Sequence, residues 1–374
     1  MSDPIFSGIR RGFLLLFVVA SALVAARQIT RMEHPPVIGV QRGFRGTGLV
    51  QLYNPRTFAA LSSQTDIPPI LDPADPDGLK ASEAYKNVRV LGNLSVGQFT
   101  RLMVSMATWV APEQGCSYCH NLDNMALDTN YTKVVARRML QMTQNINANW
   151  QTHVKTTGVT CYTCHRGKPV PEYIWFNNPG PAAKGIAETQ TGMAHPTELV
   201  GDSALPYDPL TPFLEQDNNI RVQGATALAT TNLSSMKQAE WTYALMMVIT
   251  KSLGVNCDYC HNTRALRDWS QSTPQRVTAW YGIRMVRDLN NHYLDPLGVV
   301  FPAARKGVLG DSPKVYCATC HQGVYKPLFG ISMLTTFKTE LGGPPVTTAP
   351  LMAPYNPPPE PPPVAEPPPA SPQK

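Results

Sequence analysis

The sequence predicts a mainly α-helical protein with much irregular loop, built as two halves related by a pseudo-twofold axis. Three observations predict it. Four stretches, at about 95–110, 128–150, 234–253 and 273–293, carry apolar residues at helical spacing. A Cys-x-x-Cys-His motif follows each stretch, and the order helix, motif, helix, motif occurs twice. Proline reaches 36 of 374 residues while charged residues are only 16%, a composition that favours loops.

The four motifs are Cys116-Ser-Tyr-Cys119-His120, Cys161-Tyr-Thr-Cys164-His165, Cys257-Asp-Tyr-Cys260-His261 and Cys317-Ala-Thr-Cys320-His321, and they consume all 8 cysteines. In such a motif the two thiols add across the vinyl groups of haem, and the adjacent histidine ligates the iron. A zinc ribbon would use two Cys-x-x-Cys pairs around one metal, with no need for a histidine after each pair. A redox-active dithiol needs one motif opening a helix in a βαβ unit, which the pattern lacks. The motifs therefore predict four covalently attached haem c groups in a multihaem c-type cytochrome. Each haem is a large apolar plate, so the chain can wrap cofactors instead of building one continuous core.

Taken in order, the elements begin with an export signal or anchor over residues 1–32. Arg10 and Arg11 precede an uncharged run from Gly12 to Ala26, which Arg27 closes. That run suits a signal core and falls short of the roughly 20 residues that span a bilayer. Ile5, Phe6, Ile9 and Ile29 lengthen the apolar segment if the arginines snorkel, and the expectation is an uncleaved anchor. The chain has no cysteine here to carry a lipid. Haem attachment belongs to the export side, so the body is expected outside the cytoplasmic membrane.

The first helix has Ser95 as N-cap and Phe99, Leu102, Met103, Met106 and Val110 on one face. The second carries Val134, Val135, Met139, Met142 and Ile146. Gly254 is the expected C′ residue of the third, and Pro274 the first helical residue of the fourth. Local sequence echoes the duplication: Cys116-Ser-Tyr-Cys-His-Asn121 resembles Cys257-Asp-Tyr-Cys-His-Asn262, and Val159 to Gly167 resembles Val315 to Gly323. The matching cysteines lie 141 and 156 residues apart, so the second half carries an insertion. A haem-carrying domain over 33–343 follows, with halves at about 90–176 and 234–330. Residues 344–374 hold 14 prolines and favour polyproline II, as a solvated extension or a strap across a partner.

A haem that only carries electrons has both axial positions filled, so four more ligands are needed. Met103, Met139 and Met246 stand on helices before His120, His165 and His261, with Met106, Met142 and Met247 as neighbouring competitors. A methionine on an amphipathic helix is more often core filling. For His321 the repeat suggests Met285, as the counterpart of Met139, while His153 is the competitor; spacing leaves the two open. His34, His195 and His292 fall in or near loops.

The residues also resemble a family, the tetrahaem cytochrome subunit bound to bacterial photosynthetic reaction centres. The likeness runs from about Gln41 to Phe329 and includes Gln41-Arg-Gly-Phe-Arg-Gly-Thr-Gly48, Trp241-Thr-Tyr-Ala-Leu-Met-Met247 and Ala279-Trp-Tyr-Gly-Ile-Arg-Met-Val-Arg287. The resemblance implies Met103 with His120, Met139 with His165, Met246 with His261, and His153 with His321, leaving Met285 for packing. It implies an electron-transfer protein, not an enzyme, that re-reduces the photo-oxidised special pair and is refilled by a soluble donor. That donor would be a small c-type cytochrome or a high-potential iron–sulfur protein. The expected place is the periplasmic face of the photosynthetic membrane, against the membrane subunits of the reaction centre.

Two other classes compete: a membrane-anchored tetrahaem quinol dehydrogenase, usually shorter and richer in histidine ligands, and a multihaem reductase with an open iron site. Nucleic-acid binding has no support. The formal charge of +6 omits the haem propionates; at roughly −2 per haem they bring the balance near zero.

Overall fold

A computed structural model describes residues 4–31, 37–41, 50–178, 180, 197–222 and 236–344. His34, His195 and the proline-rich tail lie outside them. Helix α1 runs without a break from Pro4–Arg31, 28 residues, roughly 42 Å at 1.5 Å per residue. Arginine is a good helix former, so Arg27 does not end it. Within it, Gly12–Thr30 has a mean hydropathy of 2.0 and is wholly exposed, long and apolar enough to cross a membrane. Strands β1 (Ile38–Gln41) and β2 (Val50–Tyr53) then pair antiparallel, with Ile38 opposite Tyr53. Helix α2 (Pro55–Ser63) starts where Asn54 Oδ1 accepts the Arg56 N–H at 2.9 Å.

After the short α3 (Ala81–Ala84), the four expected helices appear. Helix α4 spans Val96–Val110, and Ser95 forms a capping box with Gln98. Helix α5 spans Tyr131–Asn149, three residues later than expected from Asp128. The reason is that the Asp128 carboxylate is engaged by Arg137, Lys133 and Asn87 rather than by a helix N-terminus. A separate turn, α6 (Gln151–Val154), carries His153, and α7 (Cys161–His165) is the second motif itself. Strand β3 (Ile174–Trp175) and α8 (Thr211–Leu214) precede α9 (Met236–Leu253). Gly254 follows α9 at φ +62°, with the Val255 N–H on the Thr250 carbonyl, as its C′ role requires.

Helix α10 spans Pro274–Leu289 with Pro274 in its first turn, then continues as a π-helical turn over Asn290–Leu294. The α-helix was expected to reach Tyr293. It stops short because the Asn290 side chain leaves the helix pattern to bond three backbone groups elsewhere. Strand β4 (Lys314–Val315) pairs antiparallel with β3, α11 (Cys317–His321) is the fourth motif, and α12 (Lys338–Leu341) closes the described fold.

Two apolar clusters hold these elements. One gathers Leu102, Trp109, Leu140, Phe337 and Leu341 and pins α12 on α4 and α5. Burying a side chain of this size contributes about 1.5–3 kcal/mol. Arg101 is buried beside it, its guanidinium 3.7 Å from the Phe337 ring centroid and 3.0 Å from Glu340 Oε1. The other cluster gathers Ile146, Trp150, Leu214, Leu245, Ile283 and Tyr293 under α9 and α10. Between α5 and α10 the contact is polar: buried Asp288 accepts from Asn145 Nδ2 at 2.9 Å, Trp150 Nε1 at 3.0 Å and His292 Nδ1 at 2.9 Å.

Candidate haem-binding sites

Each motif is a short helical turn, which puts its two thiols and its histidine on one side. The first and third lie on 3₁₀ turns, Gly115–Tyr118 and Cys257–Tyr259. Behind each, a threonine hydroxyl, Thr132 or Thr273, donates to the carbonyl of Tyr118 or Tyr259. The second and fourth are the α-helices α7 and α11. Each ends on a left-handed residue, Arg166 (φ 49°) or Gln322 (φ 49°), followed by a glycine whose N–H bonds the last turn of the long helix before the neighbouring motif, Gly167 to Trp109 O of α4 and Gly323 to Ser252 O of α9, both at 2.9 Å. Two residues before each of these motifs a valine is held on both sides by an asparagine amide. Asn147 bonds the N–H and carbonyl of Val159 at 2.8 and 2.9 Å, and Asn290 those of Val315 at 2.9 and 3.0 Å. The same amides also donate to Leu341 O and Leu214 O, each at 2.8 Å.

All four motif histidines place Nδ1 on a backbone carbonyl: His120 on Met125 at 3.2 Å, His165 on Lys168 at 2.9 Å, His261 on Leu266 at 3.2 Å and His321 on Val324 at 3.0 Å. A carbonyl only accepts, so Nδ1 carries the proton and Nε2 keeps its lone pair. Burial pushes His321 down to about 4, with the neighbouring His153 adding to the effect. Burial likewise lowers His165, His261 and His153. These rings are neutral at neutral pH, the form that ligates a metal. Burial also pushes the Cys161 and Cys317 thiols up to about 12 and Cys260 to about 11, so they remain protonated.

A cavity of about 1070 Å³ connects three of the motifs, touching His120, His165 and His321 together with Met103, Met139 and His153. Its wall is mostly apolar. Among the described residues its charged lining is Lys86, Arg89, Lys133, Arg137, Arg305 and Lys306, with no aspartate or glutamate. A flat apolar group edged with carboxylates fits such a wall, because the plate is shielded from water and the acids meet cations. Among the described residues no three His, Cys, Asp or Glu side chains converge as a cage for a bare ion. Porphyrin iron asks the protein for only two ligands. The residues present therefore fit haem.

The structure brings His153 and His321 together. Their ring centroids are 6.1 Å apart, and His153 Nδ1 bonds the Thr278 carbonyl at 2.8 Å, which leaves its Nε2 free as well. A metal about 2 Å from each nitrogen would set two imidazole centroids roughly this far apart. Met285 is buried in the apolar cluster of α9 and α10. The expected pairing of Met285 with Met139 needs correction. Counting back from Asn147 and Asn290, which make matching bonds, Met142 and Met285 take the same place, and Met139 is matched by Gly282. Unequal spacing from helix to motif hid this register in the sequence.

Met103 and Met106 both line the cavity on the α4 side, as Met139 and Met142 do on α5. Met246 packs partly buried against the α9–α10 cluster. A Cβ on Gly201 would sit 3.7 Å from the Met247 methyl, so that neighbour is occupied in packing. His292 serves Asp288 instead of facing a motif. Cys164 and Cys320, the second cysteines of the second and fourth motifs, lie 4.5 Å apart at Cα and are joined as a disulfide, while the other six cysteines are free. A sulfur cannot be disulfide and thioether at once, so haem attachment at these two requires the reduced pair.

Sequence reasoning passed over Asn256, immediately before Cys257. Its amide donates to Val50 O at 2.8 Å and accepts the Leu52 N–H at 3.1 Å, which fastens the third motif to β2 and so to the segment after α1. The first motif has Gly115 in that place.

Helical turns that present paired cysteines and an Nδ1-tethered histidine, three of them to an apolar, cation-edged cavity, define a c-type cytochrome, a carrier of covalent haem c. Residues 33–340 match the family described as the photosynthetic reaction centre cytochrome C subunit. The chain belongs to that family, whose members are electron-transfer proteins. It is 53% identical over 320 residues to the photosynthetic reaction center cytochrome c subunit of Thermochromatium tepidum, covering 85% of this chain and 78% of that one. It is 50% identical over 327 residues to the subunit of the same name from Rubrivivax gelatinosus, covering 87% and 88%. The Roseobacter denitrificans subunit is 39% identical over 341 residues, covering 86% and 90%.

Proposed function

We propose that this chain carries four covalent haem c groups and re-reduces the photo-oxidised special pair of a photosynthetic reaction centre. It is itself refilled by a soluble periplasmic donor, a small c-type cytochrome or a high-potential iron–sulfur protein. The observation that carries the reading is the Nδ1-tethered histidine in each of four Cys-x-x-Cys-His turns, in a chain of this family.

Haem, when bound, supplies a reversible one-electron iron couple. The chain's own residues hold it. The eight motif cysteines attach it, and His120, His165, His261 and His321 are the proximal ligands. Met103, Met139, Met246 and His153 are the distal ligands for those four in turn. Of the cavity cations, Arg89, Lys133 and Arg137 are engaged by Asp128, so Lys86, Arg305 and Lys306 take the carboxylates, and the apolar walls exclude water. A methionine ligand raises a haem potential relative to a second histidine, so the His321 site is expected among the lower ones. The matched bonds around Asn147 and Asn290, and around Thr132 and Thr273, support two pseudo-twofold halves. Helix α1 anchors the body at the periplasmic face of the membrane, against the reaction-centre membrane subunits.

Two experiments test this. Intact-mass analysis is expected to find four haem additions per chain, and a smaller number sinks the count. A flash experiment on membranes, following haem oxidation and special-pair recovery together, is expected to give matching rates. Haems that stay reduced while the special pair recovers would sink the donor role.

A further inference from the structure

Gly282 lies inside α10 and takes the helical place that Met139 holds on α5. Mid-helix glycine is unfavourable by about 1 kcal/mol relative to alanine, so its presence needs a reason. Its backbone supplies none, because Gly282 is not among the glycines with positive φ. Space supplies one. A Cβ built on Gly282 would lie 2.5 Å from His153 Cε1, 2.8 Å from Nδ1 and 3.2 Å from Nε2, inside the contact distance of every one of these ring atoms. The Cε1 edge of the ring therefore abuts the bare backbone of α10 at Gly282, with Nδ1 held by the Thr278 carbonyl one turn earlier and the ring beside that of His321.

We propose that Gly282 is the residue that selects histidine over methionine at the fourth motif. By omitting a side chain where α5 carries Met139, it opens the seat that His153 fills. The histidine arrives from α6, the turn directly after α5, so the distal side chain for His321 is delivered across the helix pair rather than from α10 itself. Met285 also lines the cavity, but it takes the place of Met142, three residues further along the helix, and packs in the apolar cluster, whereas His153 is the side chain that stands against the His321 ring. Gly282 acts through His153 and is a positioning residue. The proposal rests on the reading that the motifs bind haem.

The test uses the intact complex purified from its own membranes, read by near-infrared magnetic circular dichroism and by equilibrium redox titration. The unaltered protein is expected to show one bis-imidazole haem beside methionine-ligated ones. A complete lack of the bis-imidazole signal there overturns the ligand reading itself, before any variant is made. Gly282→Ala is expected to lose the bis-imidazole signal while the methionine signals stay, and persistence of that signal overturns the proposal. If Gly282→Ala does not accumulate, the paired variant Gly282→Met with His153→Ala removes the ring as it fills the gap. It is expected to gain one methionine-to-iron charge-transfer band and to raise one midpoint potential. His153→Ala alone, which keeps Gly282, is expected to leave one high-spin haem that takes up added imidazole. A paired variant indistinguishable from His153→Ala alone overturns the proposal.

Discussion

Helices α5 and α10 make matching contacts at their C-terminal ends. Asn147 and Asn290 each clamp the valine two residues before an α-helical motif, and each reaches a further carbonyl, Leu341 or Leu214. Asn145 and Asp288, two residues before them, bond each other at 2.9 Å, so the helices meet at matched positions. Toward their N-termini the helices diverge. α5 presents Met139 to the cavity, and α10 presents Gly282 with the His153 ring against it. The lesson is that a shared hydrogen-bond frame fixes where a motif histidine points, while one small residue a few turns away decides what faces it.

The comparison breaks most readily at the asparagines. Asn147→Leu and Asn290→Leu each delete three buried hydrogen bonds and strand backbone groups, so each is expected to cost roughly 3–5 kcal/mol by chemical denaturation followed by far-ultraviolet circular dichroism. Similar costs support equivalent frames, and a large cost at only one site breaks the comparison. Next comes the crossing itself. Asp288→Leu leaves Asn145, Trp150 and His292 without their common acceptor, an expected loss of about 2–4 kcal/mol on the same measurement. Asn145→Leu removes one donor and is expected to cost less, about 1–2 kcal/mol.

A pH series sharpens the contrast on the α5 side. Burial alone would raise Asp128, but hydrogen bonds from Arg137, Asn87 and Lys133 overcome it and hold its carboxyl well below the ordinary range. A carboxyl depressed in the folded state contributes stability above its unfolded pKa of about 4 and loses it as pH falls through the folded value. Asp128→Asn is therefore expected to lower stability by about 1–2 kcal/mol at neutral pH, with the gap closing as the pH is taken below about 4. A pH-independent gap would mean that packing rather than charge holds the N-terminus of α5. The smallest effect is expected at Asn256→Leu, about 1 kcal/mol globally. Hydrogen–deuterium exchange at the Leu52 amide should nevertheless quicken by on the order of five- to tenfold. No change at Leu52 would remove the tether that distinguishes the third motif from the first.

Much of this was legible in the chain. The four motifs name their own chemistry, because two cysteines and a histidine at fixed spacing on one helical turn are a local arrangement. The four long helices follow from apolar periodicity, and Ser95, Gly254 and Pro274 mark ends whose chemistry is local too. The apolar reach of α1 was readable in the same way, although the helix continues past Arg27. Boundaries moved where a side chain had a distant partner, as Asp128 does with Asn87 and Asn290 with Leu214. The sequence by itself determined the cofactor class, the four motifs and the helical scaffold. Tertiary structure decided what spacing left open, that His153 faces His321, and it alone showed that Gly282 stands where Met139 would suggest a ligand and that Asn256 reaches β2. Each of these joins residues more than 100 positions apart, and a contact between distant segments leaves no periodicity for a sequence to display.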